Sequence, residues 1–374
     1  MKKIIIALSG GIDSMVLLDI MYKKDFEIVA AHVNYQKRID SYIDLEVIKE
    51  YIKNKNIILE TKTVKKEEYT HENFQAQARD IRYDFFMEVA KKYDTNILYV
   101  AHHKDDYLET YLFQKNRGGI YSYYGIASIT QHKSLLVIRP LLDWYKSDIN
   151  NYSKINNVPF HQDSSNLTLD YTRNVNRHEL SKLTVAEKNI IHQEVLEKNE
   201  RLFKEIRFLQ KNNKPFYKVS EFKKWNQNIK RRWLYSIMKN YSVTTKNLDE
   251  IIRQIETASA LQKTFLDTTV IVSYGIIYTL YPNVKKYKFE VTNDTDYIKI
   301  KQYFKDNFNF NLKQITTDYP YIIRAITDKE LSNMGKNTKK HLQKIKKRKI
   351  AKFLQDSLPV VVKNDTVIDW AFNY

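Results

Sequence analysis

Six residues near the start restrict the architecture of this chain more than any other feature. Ser9-Gly10-Gly11-Ile12-Asp13-Ser14 follows the apolar run Ile4–Leu8 and precedes Met15-Val16-Leu17-Leu18-Asp19-Ile20-Met21. A β-branched run, a Gly-Gly turn and an apolar-rich segment predict strand, tight turn and helix. Adjacent glycines let the backbone bend sharply and approach a ligand closely. The first N–H groups of the helix then face that ligand, with the positive end of the helix dipole behind them. Ser9 and Ser14 add hydroxyl donors, and Asp13 adds a carboxylate suited to a metal ion that bridges phosphates. The pattern is a phosphate cradle without the lysine of a G-x-x-x-x-G-K-S/T loop. With only 7 glycines in 374 residues, the pairs Gly10-Gly11 and Gly118-Gly119 each mark backbone that needs a left-handed conformation or close approach.

The first ~180 residues alternate strand and helix patterns, which predicts a parallel α/β sheet. Candidate strands are Lys3–Leu8, Glu27–Val33, Ile57–Val64, Asn96–Ala101 and Leu135–Ile138, with helices over Tyr42–Asn54 and Phe74–Tyr93. Ligands bind such sheets at the carboxyl ends of the strands. Ser9–Ser14 follow the first strand, His32 and Asn34 end the second, and His102, His103, Asp105 and Asp106 follow the fourth. From Leu183 to Tyr241 the pattern is helical and polar, broken at Lys214-Pro215, and Lys230-Arg231-Arg232-Trp233 starts an amphipathic helix whose basic triplet reads as a solvated face. Thr268–Ser273 and Ile276–Tyr281 flank Tyr274-Gly275 as a hairpin, and Tyr321–Ile326 and Val360–Val362 read as strands of a small α+β module. The expected division is 1–182, a mainly helical 183–292 with the hairpin, and a basic 293–374.

Ala101-His102-His103-Lys104-Asp105-Asp106-Tyr107-Leu108-Glu109-Thr110 crowds three carboxylates into one helical turn. That crowding is costly unless a cation or substrate amine is bound. Ser-Gly-Gly-x-Asp-Ser resembles the PP-loop of the N-type ATP pyrophosphatases. Further stretches resemble the tRNA(Ile)-lysidine synthetase family within that superfamily. They are Ala31-His32-Val33-Asn34, Ala76–Tyr83 with Arg79 and Arg82, Ala101–Thr110, Arg117-Gly118-Gly119, Arg139-Pro140-Leu141-Leu142, Asp163-Ser164-Ser165-Asn166 and Tyr171–Arg177. The matches span nearly all of the first 180 residues. The C-terminal half matches loosely, and Ile323–Asp328 lacks the glycine of a family Arg…Gly-Asp element.

The resemblance implies an α/β PP-loop ATP pyrophosphatase domain, then a helical middle domain and a small α+β C-terminal domain. It implies an ATP-dependent ligase that replaces the C2 oxygen of a wobble cytidine with lysine, in an isoleucine tRNA with the anticodon CAU. The oxygen first attacks the α-phosphate of ATP, giving an adenylated cytidine and pyrophosphate. The expected partners are that tRNA and free L-lysine, with ATP and Mg²⁺ as cofactors; a homodimer is left open. Ser9, Gly10, Gly11, Ile12, Asp13, Ser14, His32, Asn34 and Arg79 are expected at the nucleotide, with Asp13 as metal ligand. Asp105 or Asp106 would deprotonate the lysine amine, and Glu109 would hold an ammonium. Arg173 or Arg177 would take the lysine carboxylate, with Asp163 and Asn174 nearby. Gly118 and Gly119 would approach the cytidine.

Composition agrees with an RNA-directed enzyme. A formal charge of +18 predicts a polyanionic partner, and Lys336–Lys352 holds nine basic residues and no acid. Zero cysteines argues against tRNA thiolases that work through cysteine persulfides, and against amidotransferases with a cysteine glutaminase. A non-catalytic ATP-responsive RNA-binding protein would keep the charge but has no need for Asp13, Asp105, Asp106 and Arg173 together. No apolar run reaches the ~18 residues of a membrane span. A strand starts almost at the N-terminus without a signal pattern. The expectation is a cytoplasmic protein with no membrane partner.

Overall fold

In a computed structural model, the described residues are 2–36, 40–65, 74–161, 171–214, 216–238, 244–265, 268–280, 287–308, 311–325 and 359–371. They fall into two compact units, Met1–Glu200 and Arg201–Tyr374.

The first unit is built on a six-stranded sheet in the order β3-β2-β1-β4-β6-β5. Its strands are β1 (Lys3–Leu8), β2 (Glu27–Asn34), β3 (Ile57–Thr63), β4 (Ile97–Tyr99), β5 (Ile129–His132) and β6 (Leu135–Ile138). All neighbours pair in parallel except β5, an antiparallel edge strand on β6. Its helices are α1 (Ile12–Tyr22), α2 (Ser41–Ile52), α3 (Phe74–Lys92), α4 (Lys104–Arg117), α5 (Lys146–Ile155), α6 (Tyr171–Lys182) and the first part of α7 (Val185–Lys211). Ile4, Ile6 and Ala30 face a core with Met15, Leu17, Leu18 and Ile48. Ile5, Val29 and Ala31 face the opposite core with Phe85, Phe86 and Val89. Strands covered on both faces read as continuous apolar runs, which is why β1 and β2 do not alternate.

The five expected strands are present. β5 was not expected: Ile129–His132 reverses into β6 at Lys133, whose φ is +51°, without a glycine to signal the turn. The strand order places the site. β1 has β2 on one side and β4 on the other, so the chain leaves these two neighbours in opposite directions. A crevice opens beyond their carboxyl ends. The segments after β1 and β4 are Ser9–Ser14 and His102–Asp106.

In the second unit, β7 (Phe216–Lys218), β10 (Ile276–Leu280), β9 (Thr268–Ser273) and β8 (Ala260–Phe265) form an antiparallel sheet in that order. The β9–β10 hairpin turns at Tyr274-Gly275 as expected, both with positive φ. With it stand α8 (Val219–Phe222), α9 (Gln227–Ile237) and α10 (Thr245–Thr257). A second antiparallel sheet runs β11 (Lys288–Val291), β12 (Tyr321–Ala325), β13 (Pro359–Lys363) and β14 (Thr366–Trp370), with α11 (Asp294–Phe308) packed on β11.

The triplet Lys230-Arg231-Arg232 is not a solvated face. Lys230 is buried and its Nζ lies 2.7 Å from Glu256. Arg231 grips Asp249 with Nε and Nη2, each at 2.7 Å, and Arg232 Nε donates to Glu205 at 2.7 Å. Successive residues on a helix point about 100° apart. Three consecutive cations therefore reach acids on both α10 and the distal part of α7. The cluster Lys336–Lys352, and Ile326–Asp328, lie outside the described residues.

Candidate active site

The loop after β1 closes on itself. Ser9 N–H donates to Ser14 Oγ at 3.1 Å, Gly11 N–H donates to Ser9 Oγ at 3.3 Å, and Ser14 Oγ donates to the Gly11 carbonyl at 2.9 Å. Gly11 is the N-cap of α1 and makes no side-chain cap, so α1 starts with its first N–H groups uncapped by a side chain. Gly10 has φ +82°, and the space where its Cβ would stand is filled by Asp44 of α2. The close approach that this glycine permits is therefore to a helix, and it seats the loop. His161 completes the seat. Its N–H donates to the Gly10 carbonyl at 3.0 Å, and its Nδ1 lies 2.9 Å from Asp44 Oδ1.

A cavity of about 620 Å³ opens beside this loop. Ser9, Asp13 and Ser14 line it from the first segment; His32, Asn34 and Tyr35 line it from the end of β2; His102 and Asp106 line it from the start of α4. Arg82 of α3 also lines it, whereas Arg79 stacks 4.9 Å from the Tyr83 ring. His32 is buried, with Nδ1 3.1 Å from the Leu8 carbonyl, and its Nε2 has no hydrogen-bond partner among the described residues. Burial holds its pKa below the usual imidazole value. The ring is therefore neutral, with Nδ1 the donor and Nε2 a spare acceptor.

His102 is set differently. Arg139 Nε donates to His102 Nδ1 at 3.2 Å, which leaves the ring proton on Nε2. Burial, opposed by Asp106 and reinforced by Arg139, Arg82 and Arg79, pushes its pKa down to about 4. Arg139 is fixed in turn by the Ala127 carbonyl and Thr130 Oγ1.

The carboxylates of the two motifs meet around His103. Its Nε2 lies 3.9 Å from Asp13 Oδ1 and 3.5 Å from Asp106 Oδ2, and its Nδ1 lies 3.8 Å from Asp105 Oδ2. Asp106 accepts from the His103 N–H at 3.0 Å, closing the start of α4. Asp105 is engaged elsewhere, by Lys188 Nζ at 2.5 Å and the Lys146 N–H at 2.9 Å. Burial alone would raise its pKa. The hydrogen bonds from Lys188 and Lys146, with the charge of Lys188, bring it below the usual aspartate value. Lys146 Nζ is hydrogen-bonded to Asp13. Among the described residues, no three acidic or imidazole groups form a ready cage for a metal.

Glu109 sits one turn along α4, buried, and accepts from Arg177 Nε at 3.1 Å. Leu180 of α6 and Val195 of α7 pack with Tyr107, Leu108 and Tyr111 of α4, which brings Arg177 over Glu109. Arg173 and Asn174 lie on the same helix, one turn or so before Arg177. Asp163 lies outside the described residues. Gly118 is the left-handed C-cap of α4, its N–H bonded to the Gln114 carbonyl, and Gly119 abuts the Tyr121 ring. Lys146, Lys188 and His161 were not anticipated from the sequence. Each acts through a contact more than 80 residues away in the chain, and a lone lysine or histidine carries no local signal.

The PP-loop domain family matches residues 1–184. A tRNA(Ile)-lysidine synthase of Mesoplasma florum is 31% identical over 280 residues, 71% of this chain and 69% of that protein. One from Mycoplasma genitalium is 32% identical over 266 residues, 70% of this chain and 91% of its own length. One from Mycoplasma mycoides subsp. mycoides reaches 41% over 176 residues, 46% of this chain and 44% of that protein.

Proposed function

The chain belongs to the tRNA(Ile)-lysidine synthase family, and from that premise we propose that it ligates lysine to C2 of the wobble cytidine of isoleucine tRNA, consuming ATP. The observation that carries this reading is the shared cavity. One 620 Å³ space collects the Ser9–Ser14 loop, the end of β2 and Asp106 at the reversal point of the sheet. It is large enough for a nucleotide.

Ser9, Ser14 and the N–H groups at the start of α1 take the phosphates of ATP, where the helix dipole favours negative charge. His32 Nε2, Asn34 and Tyr35 line the same cavity from β2, and a buried acceptor without a partner suits a hydroxyl or amino donor of the nucleoside. The neutral His102 offers its Nε2–H as a donor without adding charge. Asp13 supplies a hard oxygen donor, and Mg²⁺ characteristically takes one or two carboxylates together with substrate phosphates. The residues thus fit Mg²⁺, whose chemistry there is to neutralise phosphate charge.

Asp106 is the general base for the lysine ε-amine. Its place on the cavity wall supports this, as does the engagement of Asp105 by Lys188. Free lysine also carries an α-ammonium and an α-carboxylate. The Glu109–Arg177 pair presents the complementary charges, so the amino acid opens that pair, with its carboxylate on Arg177 and its ammonium on Glu109. The family resemblance assigns Arg173, Asn174 and Asp163 to lysine, and Gly118-Gly119 to the cytidine. The basic C-terminal residues 293–374, Lys336–Lys352 above all, contact the tRNA in the cytoplasm. No helix among the described residues is long and apolar enough to cross a membrane.

The test is incorporation of labelled lysine into an unmodified isoleucine tRNA transcript with a CAU anticodon, in the presence of ATP and Mg²⁺. ATP-dependent label at the wobble cytidine, absent from a methionine tRNA with the same anticodon, is expected. Asp13→Ala abolishes the label and leaves tRNA binding intact; lysine incorporation that survives this substitution removes Asp13 from the metal site.

A further inference from the structure

Two carboxylates of the site are each met by a lysine ammonium that belongs to neither sequence motif: Lys146 on Asp13 and Lys188 on Asp105. The two lysines are held differently. The Lys188 side chain is 15% exposed and locked on a partner that is itself mostly buried. The Lys146 side chain is 40% exposed and its carboxylate partner 32%. Lys146 is the first residue of α5, and its backbone N–H donates to Asp105 Oδ2 at 2.9 Å. Its Cα is thus pinned at the second motif, while its ammonium reaches the first motif through a flexible, half-exposed stem.

An ammonium and a divalent cation cannot share Asp13 without strong repulsion. When a cation takes Asp13, the ammonium must leave, and the phosphate chain of ATP, once held by the loop that carries Asp13, would offer it a new anion. That loop contains no lysine of its own. In G-x-x-x-x-G-K-S/T loops a lysine inside the loop serves the β- and γ-phosphates.

We propose that Lys146 is a catalytic phosphate ligand: it rests on Asp13 in the open site and moves to the β- and γ-phosphates of ATP when a divalent cation occupies Asp13. This rests on the ATP-dependent reading above. In the adenylation step the bond from cytidine O2 to the α-phosphorus forms and the bond from that phosphorus to the bridging oxygen breaks. The electron pair stays on the departing pyrophosphate. The Lys146 ammonium neutralises that charge and keeps its proton.

The test compares Lys146→Met, Lys146→Arg and the intact enzyme. The first readout is Mn²⁺ binding without nucleotide, followed by electron paramagnetic resonance, with Asp13→Asn as the control that removes the ion. The second is ATP-dependent pyrophosphate release in the presence of tRNA. Lys146→Met is expected to bind Mn²⁺ about tenfold more tightly, because Asp13 loses its competing cation. Its kcat/KM for ATP is expected to fall about 100-fold, the scale for loss of one transition-state charge contact. Lys146→Arg keeps the charge and recovers part of that loss. Unchanged Mn²⁺ affinity overturns the resting contact. Tighter Mn²⁺ binding with unchanged pyrophosphate release overturns the phosphate role. An intact enzyme that binds no ATP refutes the reading of the function itself, whereas one that turns over no faster than Lys146→Met refutes only the role of Lys146.

Discussion

Gly10→Ala tests the claim that the phosphate loop is seated by contact with α2. An added Cβ would stand 2.7 Å from Asp44 Cβ, 2.8 Å from Asp44 Cα and 3.0 Å from the Asp44 carbonyl oxygen, at a residue with φ +82°. Two costs combine. A non-glycine residue in the left-handed region costs about 1–2 kcal/mol. Pushing helix backbone out of a packed contact costs about 1–3 kcal/mol more. Together they predict a loss of about 2–5 kcal/mol from the first unit. Two other glycines separate these terms. Gly118 has φ +59° with nothing within 4 Å of its added Cβ, so Gly118→Ala isolates the dihedral cost of about 1–2 kcal/mol. At Gly11 the nearest atom is Ser9 Oγ at 3.5 Å, in ordinary contact, and its φ is −79°. Gly11→Ala should cost about 0.5–1 kcal/mol, the preference for glycine over alanine at an N-cap. Because two units need not unfold together, the assay is amide hydrogen exchange in increasing urea, read on peptides from α1, α2 and α4. The expected order of destabilisation is Gly11→Ala, Gly118→Ala, Gly10→Ala. A Gly10→Ala protein no less stable than Gly118→Ala refutes the argument, because the contact with Asp44 would then add nothing.

Three further outcomes follow from the same geometry. Lys188→Met takes the ammonium from Asp105, leaves it the Lys146 N–H as hydrogen-bond donor and should destabilise the first unit by about 2–4 kcal/mol at neutral pH. Because Asp105 has a depressed folded-state pKa, its stabilising contribution is present above the unfolded value and is lost as pH falls through the folded one. The gap between the two proteins should therefore close below about pH 4, and a gap constant with pH contradicts the pairing. Nuclear magnetic resonance of the His102 ring should show a neutral imidazole down to about pH 4. Arg139→Met should move that titration upward, since it removes both a hydrogen bond to Nδ1 and a nearby positive charge. Acidification from about pH 6.5 toward 4 should accordingly weaken the wild-type fold at this group, since the unfolded chain takes up the proton first. Finally, Arg231→Met should cost about 1 kcal/mol of stability in the second unit and leave the salt dependence of tRNA binding unchanged. A shallower salt slope would instead make Arg231 an RNA contact.

Much of the site was legible in the sequence because local chemistry marks it. A β-branched run, two glycines among only 7 and an apolar helix placed the phosphate loop on its strand and helix correctly. The crowding of Asp105, Asp106 and Glu109 placed the second motif at the start of α4. Strand boundaries fell within a few residues wherever the strand was buried on both faces, as for β1 and β2. The signal failed where elements are short and depend on partners. β7 has three residues in a stretch with helical character, and pairing with β10 outweighs that preference. β5 exists as an edge on β6.

The sequence by itself determined the chemistry on offer. It supplies a phosphate loop, a row of carboxylates, basic residues in excess and no thiol, since these depend on residue type and short spacing alone. Tertiary structure decided which of those charges are available. Lys230, Arg231 and Arg232 are spent on Glu256, Asp249 and Glu205. Asp105 is held by Lys188, Asp106 lines the cavity, and Lys146 arrives on Asp13 from an element more than 130 residues away. The physical reason is that a charge is identified by its residue, but its partner is chosen by whatever the packing of helices on the sheet brings within hydrogen-bonding distance.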